Sequence, residues 1–338
     1  RVRTEVQKVF SAGSGAERVY FPERSGSITD RPLLTFVILP PDPSADEKKV
    51  MQMVESMTRE CSTSGRTFKS ALIWCLPDPA SNLYDDARKL LAWETIDQEQ
   101  GELRLDDAQK RQLGESLDKA KRDLKESVWR AYKTLVMLGK DNTLRTVDLG
   151  LVHSSSANNI VTFILNRLRQ DGDVEEAISP NFLLRNWPPA FKEWSTKAVR
   201  DAFFAAPQFP RLLNPDVIKQ TISRGVENGL LGYVGKTAKG DYHPFVYGTF
   251  NTKLPVGDVE ISDDVFIVTN DVAENYKKSK EAPQPTTSPR VSEPVTPFAS
   301  ASASAQTLPF GSTDAPTPMA SSSLITRLRW TGEVPWQK

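Results

Sequence analysis

Residues 229–242 read "GLLGYVGKTAKGDY", and within them stands Gly235-Lys236-Thr237. A Gly-Lys-Thr behind a glycine-rich run holds phosphate in many ATPases. That loop needs a glycine, four residues, then Gly-Lys-Ser/Thr, set between a strand and a helix. The first glycine should stand at 230, which is Leu230, and Gly229 comes one place too early. No helix pattern follows either. Ala238-Lys239-Gly240-Asp241 is a turn signal, and Tyr242-His243-Pro244-Phe245-Val246-Tyr247 is an apolar, aromatic-rich run. Two such runs about a Lys-Gly-Asp turn predict a β-hairpin.

Other residues offer chemistry at other places. His153-Ser154-Ser155-Ser156 ends a candidate strand and precedes a helix. In an open α/β sheet ligands bind there, and amides at the next helix N-terminus favour an anion. Capping by Ser156, Ala157 and Asn158 accounts for the same residues without a ligand. Asp42 and Asp78 sit in Pro-Asp-Pro turns at strand carboxyl ends. They would make a carboxylate pair if the turns converge, but turn formation explains both. His153 and His243 are the only histidines, and neither stands at ligand spacing from Cys61 or Cys75, which excludes a multi-histidine metal site. A cysteine nucleophile served by His153 stays open, although both cysteines lie in apolar contexts that suit a core. There is no nucleophile elbow, dinucleotide fingerprint or kinase set. No catalytic residue, metal ligand or cofactor is assigned within this chain.

The elements that would position these residues follow from pattern. "LLTFVIL" (33–39) and "FKSALIWCL" (68–76) are continuous apolar runs, as in strands buried on both faces. The helical spacing of Val50, Met53, Val54 and Met57 lies between them, so a parallel pair with a crossover helix is expected. A third strand, "LRTVDLGLV" (144–152), precedes a helix over 158–172. Between the second and third strands lies a helical insertion at about 82–138. Its first helix carries Leu90, Leu91, Trp93 and Ile96; Asp106 and Gln109 then form a capping-box pair. From Leu113 through Leu117, Ala120, Leu124, Val128 and Ala131 to Leu135 and Leu138, apolar residues recur at steps of three and four. That narrow stripe suits a coiled-coil hairpin closed on itself or an arm for a partner.

Residues 179–250 read as a separate module. Thr196–Ala206 is amphipathic; Asn214-Pro215 starts a second helix through Ile218, Ile222 and Val226. The hairpin comes next. Helix, helix and wing is the order of a winged helix-turn-helix, although "QFPRLL" is short for a middle helix. The second helix would present Lys219, Gln220, Ser223 and Arg224, and the wing Lys236 and Lys239. Arginine and glutamine read base edges, and wing lysines suit phosphates. Glu227 and Asp241 lie near the same face, and winged helices also join proteins. Residues 251–280 suggest two short strands and a helical turn. Residues 281–323 are rich in Pro, Ser, Thr and Ala, as in a disordered linker. Residues 324–338 alternate like an edge strand that is cut short.

Composition narrows the class. The 338 residues hold 43 Lys plus Arg against 43 Asp plus Glu, so any affinity for nucleic acid must come from a local patch. Two cysteines suit a reducing interior. No secretory signal and no apolar run long enough for a bilayer is seen, and a cytoplasmic location is expected. Arg1 in place of methionine suggests a processed chain or a fragment.

Taken in order, "RVYFPERSGSITDRPLLTFVILPPD", "ALIWCLPDPASNLYDDARKLLAWETI", "PRLLNPDVIKQTISRGVENGLLGYVG" and "LRWTGEVPWQK" resemble one family. It is a group of large prokaryotic AAA+ ATPases of unknown function, encoded beside DNA methyltransferases in restriction-like or phage-defence clusters. The resemblance implies the C-terminal, non-catalytic half of a nucleotide-driven machine, with ATP and magnesium bound upstream of Arg1. Its implied partners are double-stranded DNA, the rest of the ATPase and DNA-modifying proteins, with no membrane. The expected fold is therefore an α/β region over 1–178 with a helical-hairpin insertion, a winged-helix module, and a linker.

Overall fold

The structure is a computed structural model that describes residues 1–246 and 253–281. The expected linker (281–323) and terminal strand (324–338) lie outside the described residues, apart from residue 281.

The chain opens with helix α1 (Val2–Ser11), strand β1 (Glu17–Tyr20) and strand β2 (Thr35–Ile38). Helix α2 (Glu47–Arg59) runs into a small hairpin, β3 (Glu60–Cys61) and β4 (Ser64–Gly65), before β5 (Leu72–Leu76). Helices α3 (Leu83–Gln98) and α4 (Asp107–Ala131) follow, then β6 (Thr134–Leu138), β7 (Leu144–Asp148) and α5 (Ile160–Gln170). Five strands make a sheet of order β1-β2-β5-β6-β7. The first three are parallel, and β6 and β7 join antiparallel.

Alternation decides the faces. Phe36, Ile38, Ile73, Cys75, Leu135 and Met137 bury on one side, in a cluster that includes residues of α1, α3, α4 and α5. Val37, Trp74 and Val136 bury on the other, against Val54 and Met57 of α2. A sheet covered on both faces needs continuous apolar strands, which is why "TFVI" and "LIWCL" carry no polar alternation. The Trp74 indole donates to Thr58 Oγ1 at 2.8 Å, so the polar edge of this buried ring is satisfied.

Two expectations change here. The apolar stripe of α4 ends at Ala131, and Leu135 and Leu138 belong to β6. The step of three to four continues past Ala131 by coincidence, while "TLVML" is itself a continuous apolar run of strand length. Strand 144–152 shortens to β7 and pairs antiparallel with β6 as a hairpin, so the sheet is mixed rather than parallel throughout. The capping box at Asp106 and Gln109 is present in both directions, at 2.7 and 2.9 Å. Helices α3 and α4 pack along each other, and Leu124, Val128 and Trp129 join the sheet-face cluster. Each such buried side chain contributes about 1.5–3 kcal/mol.

The second half begins with β8 (Val174–Glu175), α6 (Pro180–Arg185), β9 (Glu193–Ser195) and α7 (Thr196–Ala205). Then come β10 (Arg211–Leu212), α8 (Val217–Glu227), the hairpin β11 (Leu231–Lys236) and β12 (Tyr242–Val246), β13 (Val265–Thr269) and α9 (Asn270–Glu281). "QFPRLL" is no helix: β10 pairs parallel with β8. Among the described residues, 253–281 supply one strand rather than two. An antiparallel sheet of order β12-β11-β13-β9 buries Leu231, Tyr233 and Ile267 with α6, α7 and α8. Its other face buries Val234 and Val268 with Ala273 of α9. Gly225 permits the close approach of α8: a Cβ there would meet Leu231 Cδ1 at 2.5 Å and Pro180 Cβ at 3.3 Å. Among the described residues, no helix is long and apolar enough to cross a membrane.

Candidate functional site

The Gly235-Lys236-Thr237 stretch ends β11 and enters the hairpin turn. There the Gly240 amide donates to Thr237 O at 2.8 Å, and the Thr237 amide to Asp241 O at the same distance. Gly240 has φ +82°, the left-handed conformation that glycine adopts without strain. The lysine does not face an empty loop. Lys236 Nζ is paired with a Glu193 carboxylate from β9 and lies 4.9 Å from the centroid of Phe266. The Tyr242 hydroxyl donates to the same glutamate at 2.8 Å. Burial, then the hydrogen bond to Glu193, pushes the Tyr242 phenol up to about 12. The ring of Tyr242 meets Tyr276 of α9 edge-on at 4.9 Å. Lys239, at the tip, is exposed.

Helix α8 is buried on most of its circumference, with Val217, Ile218, Thr221, Ile222, Ser223, Gly225 and Val226 inside. Ser223, expected on the open face, points inward, and its hydroxyl donates to Leu254 O at 2.6 Å. Its neighbours in sequence fit an i, i+4 stripe that leaves out position 223: Asp216, Gln220 and Arg224 are exposed, with Glu227 beside them. Lys219 is half-buried and leans toward Asp216 at 3.6 Å. The open stripe thus holds as many carboxylates as cations. Of the five residues proposed for nucleic acid, Gln220, Arg224 and Lys239 remain open, while Lys219 and Lys236 have acidic partners.

The carboxyl ends of β2 and β5 do meet in a cavity, of about 380 Å³, lined by Asp42, Glu47, Asp78 and Lys133 with Pro40, Pro77 and Pro79. The two turn aspartates therefore share a site, but each is already engaged. Asp42 Oδ1 accepts the Ser44 hydroxyl at 2.7 Å and its amide at 2.9 Å, which hold this carboxyl below its usual range. Asp78 Oδ2 lies 2.9 Å from Lys133 Nζ, and Oδ1 accepts the Ala80 amide at 2.9 Å. The lysine contact depresses the Asp78 carboxyl against its partial burial and raises the Lys133 ammonium. Two ionised, turn-forming carboxylates make no acid–base pair.

His153 Nδ1 lies 2.7 Å from Glu126 Oε1 of α4, and the Ser154 amide points at both oxygens of that carboxylate, at 3.2 and 3.3 Å. Burial would raise the Glu126 carboxyl; the hydrogen bonds from Ser154 outweigh it, aided by His153 and Arg130, and hold it low. A carboxylate thus fills the place where an anion was expected. Ser155 is exposed, and the cap of α5 is Asn159, whose side chain accepts the Thr162 amide at 2.8 Å. Cys75 is fully buried and its thiol is pushed up by burial. It sits in the sheet core and His153 beyond α4, and no contact joins them among the described residues.

Sequence reasoning missed the acidic partners Glu193 and Glu126 and the cation Lys133. Glu193 stands 43 residues from Lys236 and Glu126 stands 27 from His153, so no local spacing connects them. Comparison with family models, with curated proteins and with solved structures returns no match.

Proposed function

We propose that this chain is a non-catalytic docking segment and that its second half is a winged-helix-like module meeting a protein surface rather than DNA. The order α6, β9, α7, β10, α8, β11, β12 supports the module: helix, strand, two helices separated by the short β10, then a hairpin. One departure is the insertion of β13 between β11 and β9. The observation that carries the protein-contact reading is the state of its cations. Lys236 is neutralised by Glu193, Lys219 by Asp216, and the open stripe of α8 is charge-balanced. Binding to phosphate gains its strength from releasing counterions, and paired lysines have little to contribute to that. A balanced stripe beside an apolar-cored sheet suits a protein partner, whose contact surface is no more charged than its surroundings.

By the resemblance, such a segment would serve an AAA+ ATPase that works on DNA or on a DNA-modifying partner, with nucleotide held by another part of that protein. Direct DNA contact is the second reading, favoured by the exposure of Gln220, Arg224 and Lys239. Hydrogen exchange of the chain with and without excess duplex DNA separates the two. Unchanged exchange over 217–227 and 236–241 is expected; protection of both segments by the duplex would restore the DNA reading.

A further inference from the structure

Among the described residues, Arg66 and Arg211 are buried without a salt bridge, and they are used differently. Arg66 spends its whole guanidinium on carbonyls: Nε on Met57, Nη1 on Ile28, and Nη2 on Ser25 and Glu60, at 3.1 to 3.2 Å. Arg211 of β10, 3% exposed, donates from Nε to Ser70 O and from Nη2 to Leu138 O, each at 2.7 Å. Its Nη1 makes no bond to any described residue. A guanidinium carries five N–H donors and cannot shed its charge to suit a dry site. Burial does lower its affinity for the proton, to about 10, which leaves it charged at neutral pH.

Arg211 borders the cavity where the end of β6 meets β8 and the α7–β10 loop, a space of about 520 Å³. Its lining includes the charged residues Lys140, Arg145, Asp173, Glu175 and Arg211 and the apolar Phe182, Pro207, Phe209 and Pro210. Arg145 and Asp173 neutralise each other at 2.5 Å. Asp173 also acts on Arg211, and three cations against two carboxylates leave the lining with an excess of positive charge. Cations together with aromatic and proline surface around one cavity suit a small organic anion.

We propose that this cavity binds a small oxyanion, phosphate or carboxylate, attached to an apolar body, with Arg211 Nη1 and Lys140 on the anionic end and Phe209 and Phe182 against the rest. The site is separate from α8 and the wing and stands whether or not those meet a protein.

The test titrates the full 338-residue chain by calorimetry, in phosphate-free buffer of low salt, with phenyl phosphate, benzoate and phenol. One saturable site for phenyl phosphate or benzoate, and none for phenol, is expected; which of the two anions binds tells phosphate from carboxylate. Arg211 also ties Ser70 to Leu138, so replacing it risks the fold. Lys140→Ala and Arg145→Gln leave those bonds intact, and Lys140→Ala should weaken the anion about tenfold, as loss of a charged contact does. No saturable binding of either anion at millimolar concentration, equal binding of phenol, or affinity unchanged in both variants would overturn the proposal.

Discussion

The pairing of Lys236 with Glu193 can be measured by a double-mutant cycle of Glu193→Gln and Lys236→Met. Glutamine keeps an acceptor for the Tyr242 hydroxyl, and methionine keeps a stem over the Phe266 ring, so the cycle isolates charge. The two side chains are 35% and 21% exposed, which places the pair between a surface bridge of 0.2–1 kcal/mol and a buried one. The expected coupling is about 1 kcal/mol at low salt. Lys236→Met alone should lose more, by roughly 0.5–1 kcal/mol, because the attraction of its ammonium to the Phe266 face goes as well, although the stem stays. In a thermal melt each 1 kcal/mol appears as a shift of roughly 2–4 °C for a domain of this size. A pH series adds an independent sign. The Tyr242 phenol titrates higher when folded, so its contribution is complete below about pH 10, the unfolded value, and is lost as pH rises toward the folded one. Glu193→Gln should soften that alkaline loss. A coupling within about 0.3 kcal/mol of zero, the range of independent sites, would mean that Lys236 is free in solution and available to phosphate.

Three further outcomes are expected. Asp106→Ala removes the acceptor of the Gln109 amide and should cost about 1 kcal/mol by thermal or denaturant melting, whereas no measurable loss would show that the α4 terminus is held by packing alone. Asp78→Asn should destabilise the chain at neutral pH, since the native carboxyl is held low by Lys133. Its stabilisation is present above the unfolded value and lost as pH falls through the folded one, so melting curves of the two proteins should begin to converge below about pH 4 and meet only below the lower, folded value; a gap that persists in stronger acid would place the effect in the turn rather than the charge. A thiol reagent should reach no more than one cysteine in the native chain, the half-buried Cys61, because Cys75 lies in the sheet core. Rapid labelling of both would contradict that core.

What could be read from residues alone was local. The capping box at Asp106, the turn at Lys239-Gly240-Asp241 and the buried runs of β2 and β5 each depend on residues within a few positions. Strand β6 escaped because two periods fit the same letters: Leu135 and Leu138 continue a helical step and also sit in a five-residue apolar run. Strand β1 is four half-buried residues with no burial alternation, and nothing in "ERVY" announces a parallel neighbour. Arg211 looked like part of a weak helix, because its partners Ser70 and Leu138 stand 141 and 73 residues away. Lys236, in the hairpin of β11 and β12, illustrates the same limit. Exposure of a lysine can be guessed from a turn, but its neutralisation by Glu193 depends on the pairing of β9 with β13, which only the folded sheet supplies.

The most direct test of the account is the affinity of this chain for a short fluorescent duplex across a salt series. If Lys219 and Lys236 are held by Asp216 and Glu193 and the stripe of α8 is charge-balanced, anisotropy should stay flat even at low salt, with no salt slope to measure. Saturable binding whose logarithm falls with that of salt by about 0.9 for each phosphate contacted, over two or more phosphates, would contradict it and return α8 and the wing to DNA.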